Sequence, residues 1–92
     1  MALFMMFGNY TTEGLKGISS NRTKEAQKII KKYKGKVIGM YALLGNVDLV
    51  FILELPSLEA AMSTSIALNK LTGIAFATHP AVSVEAFDKL LG

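Results

Sequence analysis

Four polar residues stand out in a chain that is 51% hydrophobic and has no cysteine: Arg22, Asp48, Glu54 and His79. Each has a chemistry and a plainer structural alternative. Asp48 follows a Gly-Asn turn and enters a strongly apolar segment. It would accept hydrogen bonds from the turn backbone as an Asx turn does, or stand as a carboxylate at the mouth of a cleft. Glu54 shares its side of that segment by simple alternation, but roughly 20 Å of strand separates the two. Within one subunit they cannot work as a glycosidase-like carboxylate pair, which needs about 10 Å or less. Arg22 sits on an otherwise apolar helical stripe, where a structural pair with Glu54 or Asp48 takes precedence over an anion site. His79 is the single histidine, the side chain best suited to acid–base work near neutral pH. Beside Pro80 it reads first as a surface or interface residue, and second as a general base near Tyr10 or Tyr41. Asn9, Tyr10 and Tyr41 could line a small apolar pocket with polar handles, or serve as core and dimer contacts.

Several chemistries are excluded outright. Without cysteine, disulfides and thiolate catalysis are impossible. One histidine leaves too few ligands for a structural zinc, so no metal is expected. No phosphate-binding glycine loop or Ser/His/Asp signature is present, and no motif asks for a cofactor. No apolar run approaches the roughly 20 residues of a membrane span, and Met1 to Phe7 lacks the basic start of a secretory signal. A cytoplasmic location is the expectation. The net charge of +3 is uneven. Residues 1–46 carry eight Lys/Arg against two Asp/Glu (+6), and residues 47–92 carry two against five (−3). The excess at Lys24, Lys28, Lys31, Lys32, Lys34 and Lys36 could meet a nucleic acid. It lacks interleaved aromatics, however, and reads first as the solvated side of a helix.

The elements that must position these residues follow from periodicity. Ala2 to Tyr10 is a strand rich in Phe, Leu and Met. Thr11 or Thr12 caps a helix whose stripe runs Leu15, Ile18, Arg22, Ala26, Ile29 and Tyr33, with Ile30 beside it. Gly14 and Gly17 weaken its start, by admitting a close neighbour or by marking a break near Ser19. Gly35 is placed to end it in a left-handed conformation. Lys36 to Leu44 and Val47 to Leu55 are strands joined at Gly45-Asn46. In the earlier one, alternation sets Val37, Tyr41 and Leu43 against Ile38, Met40, Ala42 and Leu44. Ser57 caps a second helix with apolar positions Leu58, Ala61, Met62, Ser65, Ile66, Leu68 and Leu71, ended by Thr72-Gly73. Ile74 to Ala81 is the last strand. Ser83 caps a short closing helix expected to turn Phe87, Leu90 and Leu91 inward.

The order β-α-β-β-α-β with a short C-terminal helix predicts a single α+β domain over residues 1–92, a ferredoxin-like sandwich. Right-handed crossovers place both long helices on one sheet face. The other face should then alternate with polar residues, yet both faces are apolar: Leu49, Phe51, Leu53 and Leu55 lie against Val50 and Ile52, and Leu3, Met5 and Phe7 against Phe4 and Met6. So large an apolar face predicts a homodimer packed through the open sheet.

The chain also resembles the GYD-domain family of small bacterial and archaeal proteins. The resemblance rests on Tyr10-Thr11 with Gly14, on Arg22, Gly35 and Tyr41, on the turn Gly45-Asn46-Val47-Asp48, on Glu54 with Pro56, and on Thr78 to Ala81. The segment that names the family usually carries a tyrosine before the aspartate; Val47 stands there in this chain. The resemblance implies a ferredoxin-like fold of the dimeric α/β-barrel kind and brings no established reaction. The favoured function is that of a homodimeric accessory or regulatory domain, binding a small organic ligand or a protein partner. A cofactor-independent oxygenase or isomerase is the enzymatic alternative, by fold analogy alone. Nucleic-acid binding through the lysine stripe ranks last.

Overall fold

The computed structural model describes all residues, 1–92. Its strands are β1 (Ala2–Asn9), β2 (Lys36–Ala42), β3 (Leu49–Leu55) and β4 (Ala75–Ala81). Its helices are α1 (Thr12–Lys16), α2 (Ser20–Lys32), α3 (Leu58–Thr72) and α4 (Val84–Leu91). They form an α+β fold around one antiparallel sheet of order β2-β3-β1-β4. This arrangement is compatible with the ferredoxin-like expectation. No helix is long and apolar enough to cross a membrane.

Alternation along β1 and β3 divides the apolar residues between two faces. Phe4, Met6, Phe51, Leu53 and Leu55 point toward α2 and α3, where they build the core with Ala26, Ile30, Ala61 and Leu68. Leu3, Met5, Phe7 and Ile52 lie on the open face and are only half-buried. In β2 the strict alternation expected from sequence fails. A register shift between Val37 and Gly39 lets both Val37 and Met40 pack on the core side. A bulge inserts one residue and so reverses every facing beyond it.

The first helix is broken in two. Gly17 caps α1, and Ser19 restarts the chain as α2 in an extended conformation (φ −164°, ψ 157°), its hydroxyl accepting the Arg22 N–H at 3.0 Å. The end of α2 also differs from the expectation. Lys34, not Gly35, takes the left-handed conformation, with φ 64°. Lys34 N–H bonds to Lys31 O and Gly35 N–H to Ile30 O, both at 2.9 Å, the Schellman pattern. Gly35 is needed for closeness instead: a Cβ there would lie 2.6 Å from Leu55 Cδ2.

The β2–β3 connection is longer than a two-residue turn and spans residues 43–48, because Gly-Asn does not suit the tight hairpin that Asn-Gly would form. In α3 the apolar positions separate into two stripes. Ala61, Thr64, Leu68 and Thr72 are buried, whereas Leu58, Met62 and Ile66 are exposed. The closing helix departs most from expectation. Ser83 caps it, but no residue of α4 is buried, and Phe87, Leu90 and Leu91 face solvent. The chain leaves β4 in an extended conformation at Ser83 and carries α4 off the body of the fold. The longest dimension therefore reaches 48 Å, well beyond the roughly 26 Å of an eight-residue strand.

Candidate functional site

The region richest in polar contacts lies where β1 ends. Thr11 ties this end to the far half of the chain. Its hydroxyl accepts the Gly14 N–H at 3.0 Å, capping α1, and donates to Gly73 O at 2.6 Å. Thr72 sits beside that contact, buried, donating to Leu68 O (2.7 Å) and accepting the Ile74 N–H (3.0 Å). The β1–α1 and α3–β4 junctions are thus joined by the short Thr11–Gly73 hydrogen bond.

Arg22 crosses this seam. Its Nη1 donates to Gly14 O at 2.6 Å and to Thr72 O at 3.4 Å. Thr72 closes α3, whose last carbonyls lack helical partners, and a cation is favoured at a helix C-terminus. Gly17 makes room for the guanidinium, since a Cβ there would sit 2.7 Å from Nη1. The carboxylate pairing expected for Arg22 does not form. Glu54 lies on the open side of the sheet, register-paired with Lys36 and Leu3. Asp48 is engaged elsewhere, its Oδ2 accepting the Tyr10 N–H at 2.8 Å. Asp48 therefore does bind backbone, but across 38 positions of sequence rather than within its own turn. Its main chain adds two more links, Asp48 N–H to Gly8 O (3.0 Å) and Leu43 N–H to Asp48 O (2.8 Å). Asp48 fixes Tyr10 in place.

Beside the seam is a recess of about 210 Å³, bounded by Tyr10, by Ile18, Arg22 and Ala26 of the helical side, and by Met40 and Phe51 of the sheet. It is mostly apolar. Arg22 has five N–H donors, and only those on Nη1 bond to the protein. Nε and Nη2 remain as donors at its edge. Tyr41 reaches the rim from β2, but its ring is turned over Gly39, where a Cβ would meet Tyr41 Cε2 at 2.7 Å.

The structure thus brings Tyr10, Arg22 and the rim of Tyr41 together, with Asp48 behind Tyr10. It does not bring the other candidates there. Asn9 ends β1, exposed and paired with Ala75. His79 lies on the open face, its ring edge-on to Phe7 with centroids 5.6 Å apart, and so meets neither tyrosine. Sequence reasoning passed over Thr11 as more than a cap and Thr72 as more than a helix end; the Thr72-Gly73 pair before a strand was the available signal. Along α2, Lys28 pairs with Glu25 at 3.2 Å and Lys32 lies 5.6 Å from the centre of the Tyr33 ring. Part of the lysine stripe is therefore already engaged locally.

The family model of the GYD domain matches residues 4–91 of this chain. No curated protein and no solved structure is similar enough to count as a match.

Proposed function

This chain belongs to the GYD-domain family, and from that premise we propose a ligand-binding homodimer. In this reading it is a ferredoxin-like domain of the dimeric α/β-barrel kind. It pairs through its open sheet face and takes up a small organic molecule in the recess beside Arg22, in an accessory or regulatory role. The sheet order β2-β3-β1-β4 supports the fold assignment, and the row Leu3, Met5, Phe7 and Ile52 supports the pairing.

The observation that carries the ligand reading is the company Arg22 keeps. A fork-shaped donor with free N–H groups borders a recess of about 210 Å³ whose walls are largely apolar. Drug-sized ligands fill roughly 300–1,000 Å³, so the occupant is small. The matching chemistry is a compact apolar body bearing a carboxylate or carbonyl, the acceptor that guanidinium binds best.

Native mass spectrometry of the mildly purified protein tests both parts at once, reporting subunit number and any retained ligand. A dimer with a discrete added mass supports the reading. A strict monomer at micromolar concentration refutes the pairing. Failure of short branched and aromatic carboxylates to raise the melting temperature at millimolar concentration refutes the ligand class.

A further inference from the structure

Besides the open sheet face, two apolar surfaces of this chain face solvent, and their dimensions match. The first is α4. Val84, Phe87 and Leu91 recur at i, i+3 and i+7 on one side, and the Glu85–Lys89 ion pair (3.6 Å) occupies the other. Phe87 is 51% exposed and Leu91 74% exposed. The second is a groove of about 200 Å³ between the outer stripe of α3 and β4. Leu58, Met62 and Ile66 form one wall, Thr78 and Pro80 the other, and no charged residue lines it. An apolar cavity of about 150 Å³ already holds a benzene ring, so the groove accommodates the Phe87 side chain. The eight residues of α4 rise about 12 Å, the same distance that separates Leu58 from Ile66 along α3.

We propose that α4 is an arm that docks in the α3–β4 groove of a second copy of this chain, reciprocally about a two-fold axis. The second copy is favoured over the arm's own groove by the link that precedes it. Ser83 is extended (φ −64°, ψ 154°) and is held so by the cap its hydroxyl makes with the Ala86 N–H at 3.0 Å. Folding α4 back would require a reversal within Val82-Ser83 and loss of that cap, whereas a second copy receives the arm as it stands. The groove opens in the right place. Ala81 pairs with Leu3 and Leu55 with Ala2, so the arm leaves the same end of the sheet at which Leu58 begins α3. Two copies meeting at that end place each arm beside the other's groove. Reciprocal docking covers Val84, Phe87 and Leu91 together with Leu58, Met62 and Ile66 on both copies, each of them more than half exposed in the single chain. This contact uses neither the open sheet face nor the recess at Arg22 and stands independently of both.

The absence of native cysteine makes a direct test simple. Met62→Cys and Phe87→Cys are each placed on a separate chain. Both positions are more than half exposed, and both sit mid-stripe, so the outcome does not depend on the direction of docking. Mixed at micromolar concentration under mild oxidation, the two chains should give a covalent Met62→Cys/Phe87→Cys heterodimer at least tenfold above either homodimer. Adding Leu91→Asp to the Phe87→Cys chain should cut that yield at least tenfold. Yield at the homodimer level, or cross-linking that survives Leu91→Asp, overturns the docking. So does a doubly substituted chain that closes its own disulfide at a rate independent of concentration.

Discussion

Arg22 and Gly17 should behave as one unit, and a double-mutant cycle exposes it. The Nη1–Gly14 contact is short, at 2.6 Å, and charge-assisted, whereas the Thr72 contact at 3.4 Å is weak. Hydrogen bonds to charged groups contribute about 1.5–3 kcal/mol. Discounted for the partly exposed position of Arg22, the expected loss for Arg22→Ala is about 1–2 kcal/mol. Gly17→Ala reaches the same contact from the other side. Its Cβ would fall 2.7 Å from Nη1, so the guanidinium must shift, and a shift away from Gly17 is expected to weaken the contacts that Nη1 makes with the two carbonyls. Gly17 has φ −90° and ψ 8°, a conformation alanine adopts freely. Once Arg22 is gone, the alanine therefore stabilises by about 0.4–1 kcal/mol through the unfolded chain. The sign thus reverses with background: Gly17→Ala destabilises the natural chain and stabilises the Arg22→Ala chain. The interaction energy should be about 1–2 kcal/mol. Urea unfolding reads it, because with a slope near 1 kcal/mol/M this is a midpoint displacement of roughly 1–2 M. Additive effects within about 0.3 kcal/mol would refute the strap.

Other perturbations probe separate features. Thr64 Oγ1 is buried in α3 without a hydrogen-bond partner, so Thr64→Val should stabilise by about 1 kcal/mol in the same urea assay. Lys34→Gly relieves the one non-glycine left-handed residue and should raise the melting temperature by about 4–8 °C, equivalent to about 1 kcal/mol in a chain this size. Met5 lies mid-row on the open face, so Met5→Lys should convert the proposed sheet-paired dimer to a monomer by light scattering. It should leave circular dichroism unchanged; an unaltered mass would refute that pairing surface.

Much of the architecture was legible because local signals agreed with global packing. Thr11, Ser57 and Ser83 announce helix starts by side-chain chemistry, and each accepts the expected backbone N–H. Alternation in β1 and β3 gave both faces correctly because those strands are regular. β2 misled because a bulge leaves no trace in the pattern of apolar residues. Gly35 misled because glycine serves tight packing as well as left-handed geometry, and the apolar pattern does not say which. The expected inward face of α4 was a periodicity argument, and periodicity states that a helix has an apolar side without saying what covers it. Arg22 was recognisable as an anomaly on its stripe. Its partners were hidden because they are carbonyls, which every residue carries.

The position of β1 at the middle of the sheet has a consequence during synthesis. Its two neighbours are β3 and β4, each closed across most of the chain, with Leu3 opposite Glu54 and Ala81. At about 5–20 residues per second, a nascent β1 emerges several seconds before β4 exists to pair with it. Throughout that interval the β4-facing backbone edge of β1 stays unpaired, and Phe7 lacks the His79 ring that it meets in the finished fold. Of the four strands, β1 is therefore the one kept waiting longest for a neighbour. It is where a ribosome-associated chaperone would do the most good, and where slow translation of the second half would most raise aggregation.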